Sequence, residues 1–197
     1  IKKGRPNMAT KYFVGETYNT SKGKMRILER IPGKTSKDGI HHHPRCVVRM
    51  LATGTVLSVQ TTNIASGKFT DYRLPSVYGV GYIGSELKIP ARGAYVRRVY
   101  DLWANMLKRA YGEYKDSYKG CTVDKRWHNF TNFINTLPQL TNYQHWEQGE
   151  NYVLDKDIKI RGNKTYSLET CQFIPSSENI AESANRRWHG TNDPVLT

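Results

Sequence analysis

Cysteine is scarce: three residues, Cys46, Cys121 and Cys171, far apart and odd in number. Such a set builds neither a disulfide framework nor a C-x-x-C zinc site, and it suits a reducing compartment where each thiol is a small buried hydrophobe. Long apolar runs are missing too. No stretch of about 18 apolar residues exists to span a bilayer, and no strongly basic amphipathic helix stands apart as a surface anchor. The opening residues IKKGRPNMATKYF lack the apolar core of a secretory signal, which predicts a chain not exported by that route. Acidic residues are also short: 17 Asp and Glu against 30 Lys and Arg leave a net charge of +13. That surplus calls for a polyanionic partner, nucleic acid first. Internal repeats and low-complexity tracts are absent as well.

What remains is ordinary globular material, 38% hydrophobic with 11% aromatic residues, enough to build a core. From Tyr12 to about Gly84 the chain reads as strands. MRILERI, RCVVRML and TVLSVQTTNI are rich in β-branched residues and are cut by the turn signals GKTSKDG, ATG and ASGK. A small barrel-like or sandwich-like β domain is expected there. VYGVGYIG (77–84) concentrates glycine, so its backbone is expected to bulge or to be approached closely by another segment. SELKIPARG reads as a linker, with the boundary at Ile89–Gly93.

The period then changes. Val96, Val99, Trp103, Met106 or Leu107, and Ala110 recur at helical spacing, with Arg97, Arg98, Lys108 and Arg109 largely on other faces. YKGCTVDKRWHNFTNFINTLP predicts a short strand around Thr122 and Val123. A helix follows with Trp127, Phe130, Phe133, Ile134 and Leu137 inward, ended by Pro138. TNYQHWEQGENY reads as a polar loop. LDKDIKIRGNKTYSLETCQF (154–173) predicts two strands joined by a Gly162-Asn163 turn, and PSSENIAESANRRWHG predicts a helix opening on serines and ending near Gly190. The expected organisation is a tail (1–11), a β-rich domain (12–88), a linker (89–93), an α+β domain (94–190) and a second tail (191–197).

Strand, turn, strand, helix in a basic chain resembles the ββα arrangement by which HNH-type nucleases present one metal ion to a scissile phosphate. That resemblance implies one ligand at the end of the first strand and another on the helix, the ion neutralising charge on the phosphate and the leaving oxygen. LWANMLKRAYGEY (102–114), YKGCTVDKRWHNFTNF (118–133), LDKDI...GNKTYSLETCQFIPSSEN (154–179) and ANRR (184–187) together resemble small phage-encoded HNH-like proteins, including homing-type endonucleases. Those proteins carry a W..ML.RCY helix and an SLDRID...Y.P.NCRW...EQ..N hairpin. The resemblance covers most of residues 95–188, and the β-rich front half looks like the N-terminal portion of such proteins.

The resemblance implies an α+β protein whose β-rich, DNA-binding N-terminal domain precedes an α+β domain with an HNH-like ββα-metal hairpin-helix unit. It implies a divalent-metal-dependent endonuclease acting as a monomer on double-stranded DNA, with one Mg²⁺ or Mn²⁺ and no small-molecule cofactor or membrane, in the cytoplasm of a bacterial host. Asp155 takes the position of the first metal ligand and Asn179 that of the last Asn or His. The middle Asn corresponds to Thr170 and the base histidine to Lys156, and both are departures. A lysine is a poor general base at neutral pH unless its pKa is strongly depressed. Lys156 is therefore expected to hold the phosphate as a fixed charge, leaving water activation to the metal or to Asp157. Arg97, Arg98, Lys159, Arg161, Lys164, Arg186 and Arg187 are the expected phosphate contacts.

Plainer readings stand beside these. Asp-Lys-Asp is a common solvated strand end, Gly162-Asn163 a common turn, and Asn179 a residue that bonds backbone at a helix start. A nucleic-acid-binding protein that keeps the scaffold without cleaving is the alternative, and an RNA- or ribosome-associated basic protein fits the composition alone. IHHHPR (40–45) puts imidazoles on alternate faces of an extended segment, which argues against a metal site. His128, His145 and His189 each sit beside a tryptophan as packing or surface residues.

Overall fold

The computed structural model describes residues 11–91, 93–113 and 115–189, except the side chains of residue 183 and residues 186–189. The chain is mixed α+β and divides into two compact units at Leu74–Pro75. Each unit has its own apolar core.

In the first unit β1 (Thr17–Thr20), β2 (Gly23–Ile31), β5 (Arg45–Met50) and β6 (Val56–Gln60) form an antiparallel sheet in the order β1-β2-β5-β6. A small hairpin of β3 (Lys34–Thr35) and β4 (His41–His42) projects from the β2-β5 connection. Period-two alternation sends Met25, Ile27, Cys46, Val48, Met50, Leu57 and Val59 to one buried face, as strand geometry requires. The expected barrel does not close. β1 and β6 stay at opposite edges, and α1 (Thr61–Ser66) packs against both, its Ile64 buried in the core that closure would otherwise have sealed. His41 and His42 lie exposed on β4, with His41 Nδ1 bonded to the Thr35 hydroxyl at 2.8 Å.

The second unit begins earlier than the expected linker. Val77, Val80, Ile83 and Ile89 pack on its core, and Tyr82 donates to the His128 carbonyl at 2.9 Å. The glycine-rich stretch is closely approached, since a Cβ at Gly81 would collide with Leu107 and Trp103. The long helix α2 (Tyr95–Tyr111) buries Val99, Trp103, Met106 and Leu107. β7 (Thr122–Val123) follows, then a 3₁₀ turn carrying buried Trp127. The expected single aromatic helix is shortened to α3 (Phe130–Thr136), because Asn129 caps it by accepting from the Thr131 amide at 3.0 Å. The segment expected as a polar loop holds α4 (Tyr143–Glu147), whose Tyr143 and Trp146 are buried against Phe173.

The last elements are β8 (Tyr152–Asp155), β9 (Thr165–Tyr166), β10 (Gln172–Pro175) and α5 (Ser176–His189). β8 pairs antiparallel with β10, Asp155 opposite Gln172, and α5 packs on both strands. The two strands are therefore not joined through a tight Gly162-Asn163 turn. Residues 156–171 form a loop between them, and its β9 runs parallel to β7 instead. The cause is local: Asp155 Oδ2 accepts from the Asp157 and Ile158 amides at 3.0 and 2.8 Å, an Asx-type turn that ends β8 at once. No described helix is long and apolar enough to cross a membrane.

Candidate functional site

A cleft of about 500 Å³ in the second unit is walled by the end of β8, the loop after it, the C-terminal half of α2 and the start of α5. Asp155, Lys156, Asp157, Lys164 and Asn179 line it, joined by Arg109, Lys115, Ser117, Tyr118 and Tyr166. Five of the sequence-predicted residues are thus gathered in one place. Four of the wall residues are cations and two are carboxylates.

Asp155 is buried, 5% exposed, at the strand end. Burial pushes its carboxyl above the usual range, and the adjacent Asp157 carboxyl adds to the rise against the two amides that favour the ionised form. Lys156 is also buried; its Nζ lies 3.1 Å from Asp157 Oδ2 and 5.6 Å from the centre of the Tyr166 ring. A carboxylate and an aromatic face thus hold the lysine side chain in place. Arg109 reaches in from α2 with its guanidinium over the Tyr118 ring, 5.6 Å from the ring centre, and its charge opposes the rise that burial imposes on the Tyr166 hydroxyl. Beneath the cleft the Cys171 thiol is raised to about 12, chiefly by burial, so it is an inert core group.

The loop has an internal brace. Asn163 Nδ2 donates to the Lys156 carbonyl at 2.6 Å and to the Thr165 carbonyl at 2.7 Å. Its Oδ1 accepts from the Thr165 amide at 3.2 Å. One side chain therefore ties the Asp155–Asp157 turn to β9.

Other expected residues are used elsewhere. Thr170 does not line the cleft; its hydroxyl donates to the Thr165 carbonyl at 2.7 Å and accepts from the Ser167 amide at 3.1 Å, closing a turn. Arg97 is paired with Asp101 one helical turn on, at 2.8 Å. Arg98 donates to the Trp146 and Glu147 carbonyls at 2.6 and 3.1 Å and covers the Trp146 ring, so it joins α2 to α4. Lys159 donates to the Cys171 carbonyl at 2.9 Å. Arg161 is exposed on the loop outside the cleft wall, and the side chains of Arg186 and Arg187 lie outside the described residues. His128 bonds Tyr111 at 3.0 Å and His145 bonds Glu150 at 2.9 Å, neither on the cleft.

The residues missed by reading the sequence are Arg109, Lys115, Tyr118, Tyr166 and Asn163. Arg109 falls off the apolar stripe of α2, which identified it as surface but not as part of a site. Asn163 carried a turn signal that said nothing of its reach to Lys156. Among the described residues, no three of His, Cys, Asp and Glu stand together to hold an ion by themselves. Two carboxylates and the Asn179 amide share the cleft, and hard oxygen donors of this kind suit Mg²⁺ or Mn²⁺, which keep several waters in their shell. Compared with protein-family models, curated proteins and solved structures, the chain gave no match in any of the three.

Proposed function

We propose that the protein is a metal-dependent, HNH-like endonuclease of the phage homing type that hydrolyses a phosphodiester in duplex DNA. The observation that carries this reading is the single cleft in which Asp155, Lys156, Asp157 and Asn179 meet Arg109, Lys115 and Lys164. The end of β8, the loop after it and the start of α5 all contribute to that cleft, which supports the reading.

The roles follow from the chemistry of each group. Arg109, Lys115 and Lys164 receive the phosphate backbone, the guanidinium offering paired donors to its oxygens. Asp155 and Asn179 would hold one Mg²⁺ or Mn²⁺, which would supply neutralisation of charge on the phosphate and on the departing 3′ oxygen. Lys156, fixed between Asp157 and Tyr166, places a positive charge beside the scissile group. Asp157 takes the proton of the attacking water as the water oxygen bonds to phosphorus and the bond to the 3′ oxygen breaks.

Incubation with supercoiled plasmid and Mg²⁺ or Mn²⁺ tests the reading. Nicking is expected, and Asp155→Ala is expected to slow it by roughly 10²-fold or more. Absence of nicking with either metal, or nicking indifferent to the substitution, sinks it. Engagement of Lys156 with Asp157, where a free proton acceptor would serve hydrolysis, favours a second reading: a DNA-binding protein that does not cleave. That protein binds duplex DNA with strong salt dependence and unchanged affinity in EDTA.

A further inference from the structure

The face of the four-stranded sheet opposite its core is basic on balance: Lys24, Arg26 and Arg49 stand there with one strand carboxylate, Glu29, which the register sets opposite Val47 beyond the bulge in β2. Successive side chains of a strand point to opposite sides. While Met25, Ile27, Val48 and Leu57 enter the core, Thr17, Arg26, Arg49 and Val56 form one row across all four strands on the other side. Lys24, opposite Asn19, adds a charge two residues along β2. Lys24, Arg26 and Arg49 are all exposed. Among the described residues no carboxylate forms an ion pair with any of the three.

Arg26 and Arg49 are direct cross-strand partners. Like charges so opposed destabilise a sheet, a cost that an anion seated between them removes. Among the described residues of the four strands no aromatic ring falls on this face, since Tyr18 of β1 packs with the core cluster. A surface for single strands would need exposed rings on which bases stack. Charge without rings on an open sheet fits the paired backbone of a duplex, whose phosphates match guanidinium geometry.

We propose that this face binds the phosphate backbone of duplex DNA, with Arg26 and Arg49 flanking one phosphate and Lys24 extending the contact along β2. The proposal shares its partner with the endonuclease reading but not its site.

The test is fluorescence anisotropy of a labelled duplex with the full-length chain in EDTA across a salt series, so that binding is read without cleavage. The double variant Arg26→Ala/Arg49→Ala is expected to bind roughly tenfold or more weakly. Its slope of log K against log salt should be shallower by about 1 to 2, at about 0.9 per lost phosphate contact. Its melting temperature should be no lower than that of the parent, because opposed charges have gone. Arg26→Lys/Arg49→Lys should keep most of the slope. Unchanged affinity and slope in the alanine variant overturns the proposal, as does equal loss in the lysine variant, which would mark a fold effect. Equal displacement by duplex RNA overturns the assignment to DNA. A protein that never nicks plasmid yet depends on Arg26 and Arg49 for binding would lose the endonuclease reading and keep this one.

Discussion

Asp155 concentrates the chemistry of the second unit in one side chain. It closes the turn after β8 through two backbone amides while burial works against its charge. Its folded pKa lies above the unfolded value, so the folded chain holds the proton more tightly. Ionised Asp155 therefore costs stability at pH above its folded pKa, and stability is regained as pH falls through that value. Asp155→Asn, which keeps an acceptor for both amides, is expected to melt higher than the parent near pH 7. The gap should narrow as the pH is lowered into the carboxylate range. A thermal melt series over pH checks this, and a variant melting lower at pH 7 would mean that the charge is paired more fully than its surroundings indicate. The carboxylate was legible in the sequence as a strand-end acid. Its burial was not, because burial depends on β10 pairing with β8 and on α5 packing over both.

At the scale of the element, the loop 156–171 is where local and tertiary signals part. Gly162-Asn163 looks like the turn of a tight hairpin, and Gly162 does adopt φ +77°. The ladder it would have closed is absent, because the Asx-type turn at Asp155 ends β8 and β9 finds its partner in β7. Asn163 then acts as a strut between Lys156 and Thr165 rather than as a hairpin residue. Asn163→Ala leaves two carbonyls without that donor and is expected to cost about 1–3 kcal/mol. Urea unfolding measures the cost, and the proposed endonuclease activity predicts plasmid nicking lower by about tenfold or more as the turn loosens. Stability unchanged within about 0.5 kcal/mol would show that water replaces the strut fully. Helix α2 was predictable in its extent and buried face, since a 3.6-residue period over 17 residues leaves little choice. The short α4 was not: its two aromatics read as loop residues until Phe173 supplied the surface they pack against.

For the whole molecule, the division into two cores governs how damage spreads. Trp103 is wholly buried, donates to the Trp127 carbonyl at 2.6 Å and meets Phe130 and Tyr100 with ring centres 5.3 and 5.6 Å apart. Trp103→Ala is expected to cost about 3–5 kcal/mol, a large share of a domain's stability. Hydrogen exchange should show amide protection lost in α2 and α3 and retained in β2 and β5. Loss in both units together would contradict separate cores. Composition and period were enough to dictate an α+β chain, a β-rich front, basic surfaces, a long amphipathic helix and an acid-bearing strand before a final helix. These depend on local propensity and on side chains facing water, which neighbours in sequence decide. Which strands pair, where the units divide, and which cations meet Asp155 waited on tertiary structure. Arg98 and Lys159 were drawn away to backbone carbonyls while Arg109 was carried in on α2. Contacts between residues tens of positions apart come from the packing of the aromatic core, and no short window of sequence contains them.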